Sequence, residues 1–260
     1  MPTRNSRPAT VWTILASALL LSTCGGKQEA RPAPPPADAK RVDEATAGNV
    51  TGRVVLQGTP PVNAPIKMGS DPVCMTNSKG PVTSETFLVD NGGLENVFVY
   101  VKDGLGHYYF ETPTESIKLE QAGCRYHPHV FGIRVGQPLE IVNDDDTLHN
   151  VHAMANVNQE FNFGQQMKGM RQTKTFTARE VMVPVKCDVH GWMSAYAGVL
   201  DHPYFAVTAN GGTFELKNLP AGTYTIEAWH EKLGAQTQSV TLGEKETKAM
   251  TFTFQAPPAS

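Results

Sequence analysis

The stretch Cys187-Asp188-Val189-His190-Gly191-Trp192-Met193 places a thiolate, an imidazole and a thioether close together in the chain. A second imidazole comes from Leu148-His149-Asn150-Val151-His152, which follows a strand-like run at 139–143. Two His, one Cys and a weak axial Met form the donor set of a mononuclear type 1 copper site, which transfers single electrons. We therefore predict a site for one copper ion formed by this stretch and one upstream imidazole.

The spacing Cys-x2-His-x2-Met and the segment before His149 resemble cupredoxins of the plastocyanin and amicyanin kind, over roughly residues 115–202. The resemblance implies an all-β, Greek-key cupredoxin fold and copper ligation by His149, Cys187, His190 and Met193. It also implies that Asn150 ties the two ligand-bearing segments together by hydrogen bonds. His152 is expected beside the ligands, with direct ligation as the alternative. Asp188-Val189 departs from the amicyanin loop, which contains a Pro.

Other kinds of site explain this stretch less well. A structural zinc site needs four firm nitrogen or sulfur donors, and Met is a poor zinc ligand. A Cys-His nucleophile needs a third, orienting group, and it would leave Met193 unexplained. Multicopper enzymes need several His-x-His pairs, whereas the chain has only His127-Pro128-His129. We therefore expect no enzymatic activity.

The amino terminus reads as a targeting segment. Arg4 and Arg7 precede an apolar run at 11–21 that is too short to span a bilayer. Leu21-Ser22-Thr23-Cys24 resembles the lipobox of bacterial lipoproteins, which implies a signal peptide at 1–23 and lipidation of Cys24. The alternative is an ordinary secretory signal that is cut nearby. Either way, we expect an exported protein on the periplasmic or cell-surface side of a bacterial membrane.

The chain has four cysteines. With Cys24 assigned to lipid and Cys187 to copper, Cys74 and Cys124 remain, and outside the cytoplasm a disulfide between them is expected. The alternative is a second metal site formed by Cys124, His127 and His129.

The rest of the chain reads as a linker followed by short β-strands. Residues 24–47 are Pro-rich and favour an extended tether. Residues 48–114 form an amino-terminal β segment and 115–203 the cupredoxin. Residues 204–256 contain a stretch from Gly212 to Thr225 that resembles the carboxypeptidase regulatory-like domain, a small transthyretin-like β-sandwich. The segment 48–114 either pairs with this sandwich or stands alone.

These features predict an electron carrier. Its partner would be a redox protein such as a c-type cytochrome or a dehydrogenase, and the lipid would attach it to a membrane. With a net charge of −3 the chain is a poor candidate for binding nucleic acid. The run Asp144-Asp145-Asp146 would either steer a cationic partner or be a solvated turn. Two other functions stay open, a copper carrier or chaperone and a cell-surface binding module with a non-redox copper site.

Overall fold

The computed structural model describes Met1, residues 38–78 and residues 80–258. Cys24, the signal segment at 2–23 and the linker up to residue 37 lie outside the described residues. Within that part of the chain the protein is almost entirely β, as predicted, and it contains no helix long and apolar enough to cross a membrane.

The described residues form eighteen strands and one short helix. In chain order these are β1 (Gly48–Gln57), α1 (Pro72–Asn77), β2 (Val89–Asp90), β3 (Gly93–Leu94), β4 (Phe98–Asp103), β5 (Ile117–Ala122), β6 (Arg125–His127), β7 (Val130–Arg134), β8 (Leu139–Asn143), β9 (His149–Ala153), β10 (Phe161–Gln165), β11 (Arg171–Lys174), β12 (Glu180–Lys186), β13 (Ser194–Leu200), β14 (Phe205–Val207), β15 (Thr213–Leu219), β16 (Gly222–His230), β17 (Gly234–Leu242) and β18 (Thr247–Gln255).

Strands β5 to β13 form a first sandwich of two sheets. One sheet has the order β11-β8-β5-β6 and the other β10-β9-β12-β13-β7. Both contain one parallel pair, β5 with β8 and β13 with β7, among antiparallel ones. Their facing sides enclose one apolar core, to which Leu119, Ile141 and Val185 belong. This core also receives Cys187 and Met193.

The remaining strands form a second sandwich that joins both ends of the described chain. Strand β1 pairs antiparallel with β15 and parallel with β18, while β4 pairs with β16. Its core includes Val54, Leu216 and Phe252. The segment 48–114 therefore shares sheets with the carboxy-terminal strands, and the first sandwich is inserted between them in the sequence.

The two sandwiches pack against each other through an aromatic layer containing Phe98 and Phe205. Gly132 and Gly198 are paired across β7 and β13. A Cβ on Gly198 would lie 2.2 Å from Phe98 Cζ, and one on Gly132 would lie 2.1 Å from Phe205 Cε2. Glycine is needed at both positions because the two rings occupy the space of the missing side chains.

A bulge interrupts the alternation that the sequence predicts for β12. The pattern places Val181, Val183, Val185 and Cys187 on one face, but the register shifts between Glu180 and Val183, where Met182 has a φ of 62°. A β-bulge inserts one residue and reverses the side-chain parity on one side of it. Val183, Val185 and Cys187 therefore lie in the first core, whereas Val181 packs in the layer between the sandwiches.

The short helix α1 was not predicted from the sequence. Asp71 caps its amino terminus by accepting hydrogen bonds from the N–H groups of Val73 (2.8 Å) and Cys74 (3.2 Å), and Pro72 occupies the first turn. With only six residues, α1 shows no helical periodicity of its own. Cys74 is fully buried, so the helix is held against the first sandwich rather than in solvent.

Candidate metal centre

His149, Cys187 and His190 converge at one end of the first sandwich. His149 opens β9 and shares the inward face of that strand with Val151 and Ala153. Cys187 directly follows β12, and His190 lies in the loop before β13. The donor atoms of the three side chains lie within 4.8 Å of one another, and all three residues are buried.

The nitrogen that each ring turns toward this cluster is Nδ1. The two Nδ1 atoms are 3.0 Å apart, and His190 Nδ1 lies 3.8 Å from Cys187 Sγ. Two backbone N–H groups also donate to Sγ, from Asn150 at 3.4 Å and from His190 at 3.3 Å. Burial alone would raise the pKa of Cys187, but the His149 ring and these backbone N–H groups outweigh it and lower the pKa. The cluster therefore favours a thiolate.

The loop that carries Cys187 and His190 closes on itself. Met193 N–H donates to the His190 carbonyl at 2.9 Å, and Cys187 N–H donates to the Met193 carbonyl at 3.2 Å. Met193 is 1% exposed and belongs to the same apolar core as Cys187. The structure thus brings three of the predicted ligands into one cluster and buries the fourth at the end of their loop.

The other ring nitrogen of His149 contacts a buried carboxylate. Nε2 lies 3.0 Å from Asp145 Oδ2, which also accepts the N–H of Cys124 at 2.8 Å. Asp145 Oδ1 accepts the N–H of Gly123 at 2.9 Å. Desolvation would raise the pKa of Asp145, but these hydrogen bonds outweigh it and hold the pKa below its ordinary value. Asp145 is therefore ionised, and it can only accept a hydrogen bond from His149.

His190 has a matching partner in a distant segment of the chain. Its Nε2 lies 3.1 Å from Oδ2 of Asp71, the residue that caps α1. Thr147 Oγ1 donates to the same oxygen at 2.7 Å. Burial would raise the pKa of Asp71, but its hydrogen bonds from Thr147, from the helix N–H groups and from His190 lower it below the ordinary value. Asp71 therefore also accepts from an Nε2–H.

These contacts determine which nitrogen of each ring carries the hydrogen and which carries the lone pair. Because each Nε2 carries a hydrogen that is donated to a carboxylate, each Nδ1 has a lone pair directed at the other. Two lone pairs facing each other at 3.0 Å, beside a thiolate, repel unless a cation lies between them. A proton or a metal ion satisfies this arrangement, and the imidazole and thiolate donors are those that copper prefers. The residues present thus fit a copper ion.

Asn150 and His152 lie on the opposite face of β9 from His149. Asn150 Oδ1 accepts the N–H of Asp188 at 3.0 Å, which links β9 to the loop that carries Cys187 and His190. His152 contacts Asp188 Oδ2 through Nδ1 at 3.0 Å and Glu160 Oε1 through Nε2 at 2.6 Å. Both nitrogens of His152 are thus engaged outside the cluster.

Cys74 and Cys124 form a disulfide with a Cα–Cα distance of 5.5 Å. It lies beside the cluster, since Cys74 Sγ is 3.8 Å from His190 Nε2. The alternative metal site of Cys124, His127 and His129 is not formed. His129 instead contacts Glu231 at 2.6 Å, and His127 contacts the Ala122 carbonyl at 3.2 Å.

Both interpretations of the run Asp144-Asp145-Asp146, steering of a partner and a solvated turn, are wrong for Asp145, which is 3% exposed and faces His149. Asp146 is exposed, with its nearest cation, Lys168, at 3.7 Å. Sequence reasoning missed Asp145 and Asp71 as neighbours of the cluster. The spacing of four residues between Asp145 and His149 was an available signal, whereas Asp71 is 119 residues from His190 and gave none.

Comparisons with known proteins place cupredoxins among the similar solved structures. A copper-containing nitrite reductase from Thermus scotoductus SA-01 is 22% identical, with a TM-score of 0.31 over 36% of this chain and 24% of its own. An oxidised amicyanin mutant is 21% identical, with a TM-score of 0.30 over 39% of this chain and 97% of its own. A purple cupredoxin from Nitrosopumilus maritimus is 20% identical, with a TM-score of 0.28 over 32% of this chain and 97% of its own. This chain thus spans about a quarter of the nitrite reductase.

No protein-family model matches the sequence, and no curated protein matches it.

Proposed function

We propose that the protein is a type 1 copper protein that carries single electrons between redox partners. The observation that supports this most strongly is the convergence of two imidazoles and a buried cysteine sulfur, with the two Nδ1 atoms 3.0 Å apart and both Nε2 atoms engaged by carboxylates. His149, Cys187 and His190 would hold the ion, and Met193 would be a fourth, weaker donor. The bound ion would supply a one-electron couple.

The protein's own residues account for the other requirements of such a site. The exposed fractions of His149, Cys187 and His190 are 0%, 2% and 2%, so water is largely excluded. The donors are anchored in strands and in a closed loop, which limits rearrangement when the charge of the site changes. Enclosure of this kind favours electron transfer over delivery of the metal to another protein.

The partner would be a redox protein that docks near the cluster. Leu148 precedes His149, and Val189 lies between Cys187 and His190. These apolar side chains are 40% and 50% exposed. A small apolar surface beside a buried redox centre suits a transient partner such as a c-type cytochrome or a dehydrogenase. We propose no catalytic reaction for the site itself.

The proposal includes export and anchoring through Cys24. It rests on the charged and apolar pattern of the amino terminus and on Leu21-Ser22-Thr23-Cys24. Expressed in a Gram-negative host, the wild type should fractionate with membranes and incorporate labelled lipid. Cys24→Ala should lose both properties, and a soluble, unlabelled wild type would refute the anchor without affecting the copper site.

Copper titration of the purified protein tests the proposed function. One equivalent of Cu(II) should generate an intense visible thiolate-to-copper band. Cys187→Ser should lose that band, because the thiolate is the donor in the transition. Because Ser replaces a buried thiol with a hydroxyl of similar size, Cys187→Ser should keep the β-strand circular-dichroism signal of the wild type. A band that survives in Cys187→Ser would show that the ligand assignment is wrong.

A further inference from the structure

Two carboxylates stand in equivalent positions around the cluster. Asp145 accepts from His149 Nε2 at 3.0 Å and from the backbone N–H of Cys124 at 2.8 Å. Asp71 accepts from His190 Nε2 at 3.1 Å and from the backbone N–H of Cys74 at 3.2 Å. Each carboxylate therefore joins one imidazole to one half of the same disulfide, although the two come from segments far apart in the sequence.

We propose that Asp71 and Asp145 are positioning residues that set the orientation of the two ligand imidazoles and the reduction potential of the metal centre. This inference rests on the proposed function. The ring on each side is held at Nε2 so that Nδ1 must face Cys187. The Cys74–Cys124 disulfide links the segment that carries Asp71 to the Gly123-Cys124 turn, whose N–H groups hold Asp145, so both rings are oriented by one cross-linked frame.

The carboxylates are themselves held in place by further donors. Asp71 accepts from Val73 N–H (2.8 Å) and from Thr147 Oγ1 (2.7 Å), in addition to His190 and Cys74. Asp145 accepts from Gly123 N–H (2.9 Å) and from Asn77 Nδ2 (3.2 Å), in addition to His149 and Cys124. A carboxylate with four donors cannot turn without losing several hydrogen bonds, so it fixes the imidazole that it contacts.

Their charge acts on the metal as well as their geometry. Asp71, Asp145 and the Cys187 thiolate place three negative charges around one buried cation. Attraction to a cation grows with its charge and is strong where water is excluded. The carboxylates therefore stabilise Cu(II) more than Cu(I), which lowers the reduction potential of the centre.

The test compares Asp71→Asn and Asp145→Asn with Asp146→Asn. All three remove one negative charge, but Asp146 is exposed and contacts no ligand. Asn is a good helix N-cap, so Asp71→Asn keeps the start of α1. Each of the first two variants should bind Cu(II) about 10- to 100-fold more weakly. If the affinity for Cu(II) falls roughly tenfold more than the affinity for Cu(I), the reduction potential rises by about 59 mV. Asp146→Asn should leave both quantities close to wild type.

A metal-free measurement separates this inference from the proposed function. Nitrogen NMR of the histidine rings should find Nε2–H groups on His149 and His190 that exchange slowly in the wild type. The exchange at His149 should quicken in Asp145→Asn and the exchange at His190 in Asp71→Asn. A wild type without a thiolate-to-copper band would refute the copper function, while the ring measurement would still test the carboxylates.

Thr147→Val provides a variant that keeps every charge. It removes the donor to Asp71 Oδ2 and should quicken exchange at His190 Nε2, even where Asp145→Asn fails to fold. If ring exchange at His190 in Asp71→Asn and Thr147→Val equals that of wild type, and the potential of Asp71→Asn equals that of the Asp146→Asn control, the positioning role is refuted.

Discussion

The Nδ1 atoms of His149 and His190 lie 3.0 Å apart, and each ring uses its other nitrogen to contact a carboxylate. This single relationship determines the chemistry of the cluster. Two lone pairs directed at each other require a cation, and the adjacent thiolate makes a soft metal ion the best fit.

Removing the disulfide should destabilise the fold. Cys74 and Cys124 are 50 residues apart, and closing a loop of that size in the unfolded chain corresponds to about 4 kcal/mol in the chain-entropy model. Cys74→Ser with Cys124→Ser should therefore lower the free energy of unfolding by about 4 kcal/mol in denaturant titrations. Non-reducing peptide mapping of the wild type should find the linked pair. Two free thiols in protein purified from the periplasm would contradict the assignment.

The contact between His129 and Glu231 should stabilise the protein within a defined pH window. The side chains are 2.6 Å apart and connect a loop of the first sandwich to the end of β16. Desolvation alone would lower the pKa of His129, but interaction with Glu231 outweighs it and raises that pKa above its ordinary 6.5. Desolvation would raise the pKa of Glu231, but His129 holds it below the ordinary 4.5.

The signs of these shifts define the window. The contribution of His129 is complete below pH 6.5 and is lost as the pH rises through its raised pKa. The contribution of Glu231 is complete above pH 4.5 and is lost as the pH falls through its lowered pKa. Glu231→Gln should lower the free energy of unfolding by about 2 kcal/mol between pH 4.5 and pH 6.5. Glu85, His230 and Tyr196 also face the pair, so the variant is compared with wild type at each pH. A difference that is constant with pH would contradict the ion pair.

The close packing of the two sandwiches should fail when a side chain is added at Gly198. A Cβ there would lie 2.2 Å from Phe98 Cζ, and overpacking of a core typically costs about 1–3 kcal/mol. Gly198→Ala should reduce the free energy of unfolding by that amount. Gly69→Ala is the matched control, because no atom lies within 4 Å of its added Cβ. Equal stability of the two variants would show that the aromatic layer adapts without cost.

A charge placed beside the cluster should slow electron transfer to a partner. Val189→Glu introduces an exposed carboxylate next to His190, and docking at this place would have to desolvate it. The second-order rate with a small c-type cytochrome should fall roughly tenfold, with the visible spectrum unchanged. Val157→Glu is the control, since Val157 is exposed in the turn between β9 and β10, at the opposite end of β9 from His149. Equal rates would move the docking surface elsewhere.

The sequence predicted the parts of this structure that depend on local patterns. Alternating strands, and the grouping of Cys187, His190 and Met193 in one loop, follow from residue type and spacing. The pairing of β1 with β15 and β18 was left open, because a strand pattern does not specify its partner. The Met182 bulge changed the face on which Val181 lies, since one inserted residue reverses the parity of a strand.

The surroundings of the cluster were less accessible to prediction. Asp71 contacts His190 only because the fold brings the start of α1 next to a loop 119 residues away, and no local sequence pattern predicts that contact. Asp145 looked like part of a solvated acidic run, yet the fold turns it inward to satisfy the Gly123 and Cys124 N–H groups. The donors of a site can thus be read from sequence more readily than the groups that orient them.

The most direct test of the electron-carrier account is a reversible redox titration of the copper-loaded protein, followed by its visible band. We expect one electron per protein to bleach the band. Reoxidation should restore it fully, with one copper per chain retained after gel filtration in either state. Loss of copper on reduction, or a band that does not return, would contradict electron carriage and indicate a protein that delivers its metal.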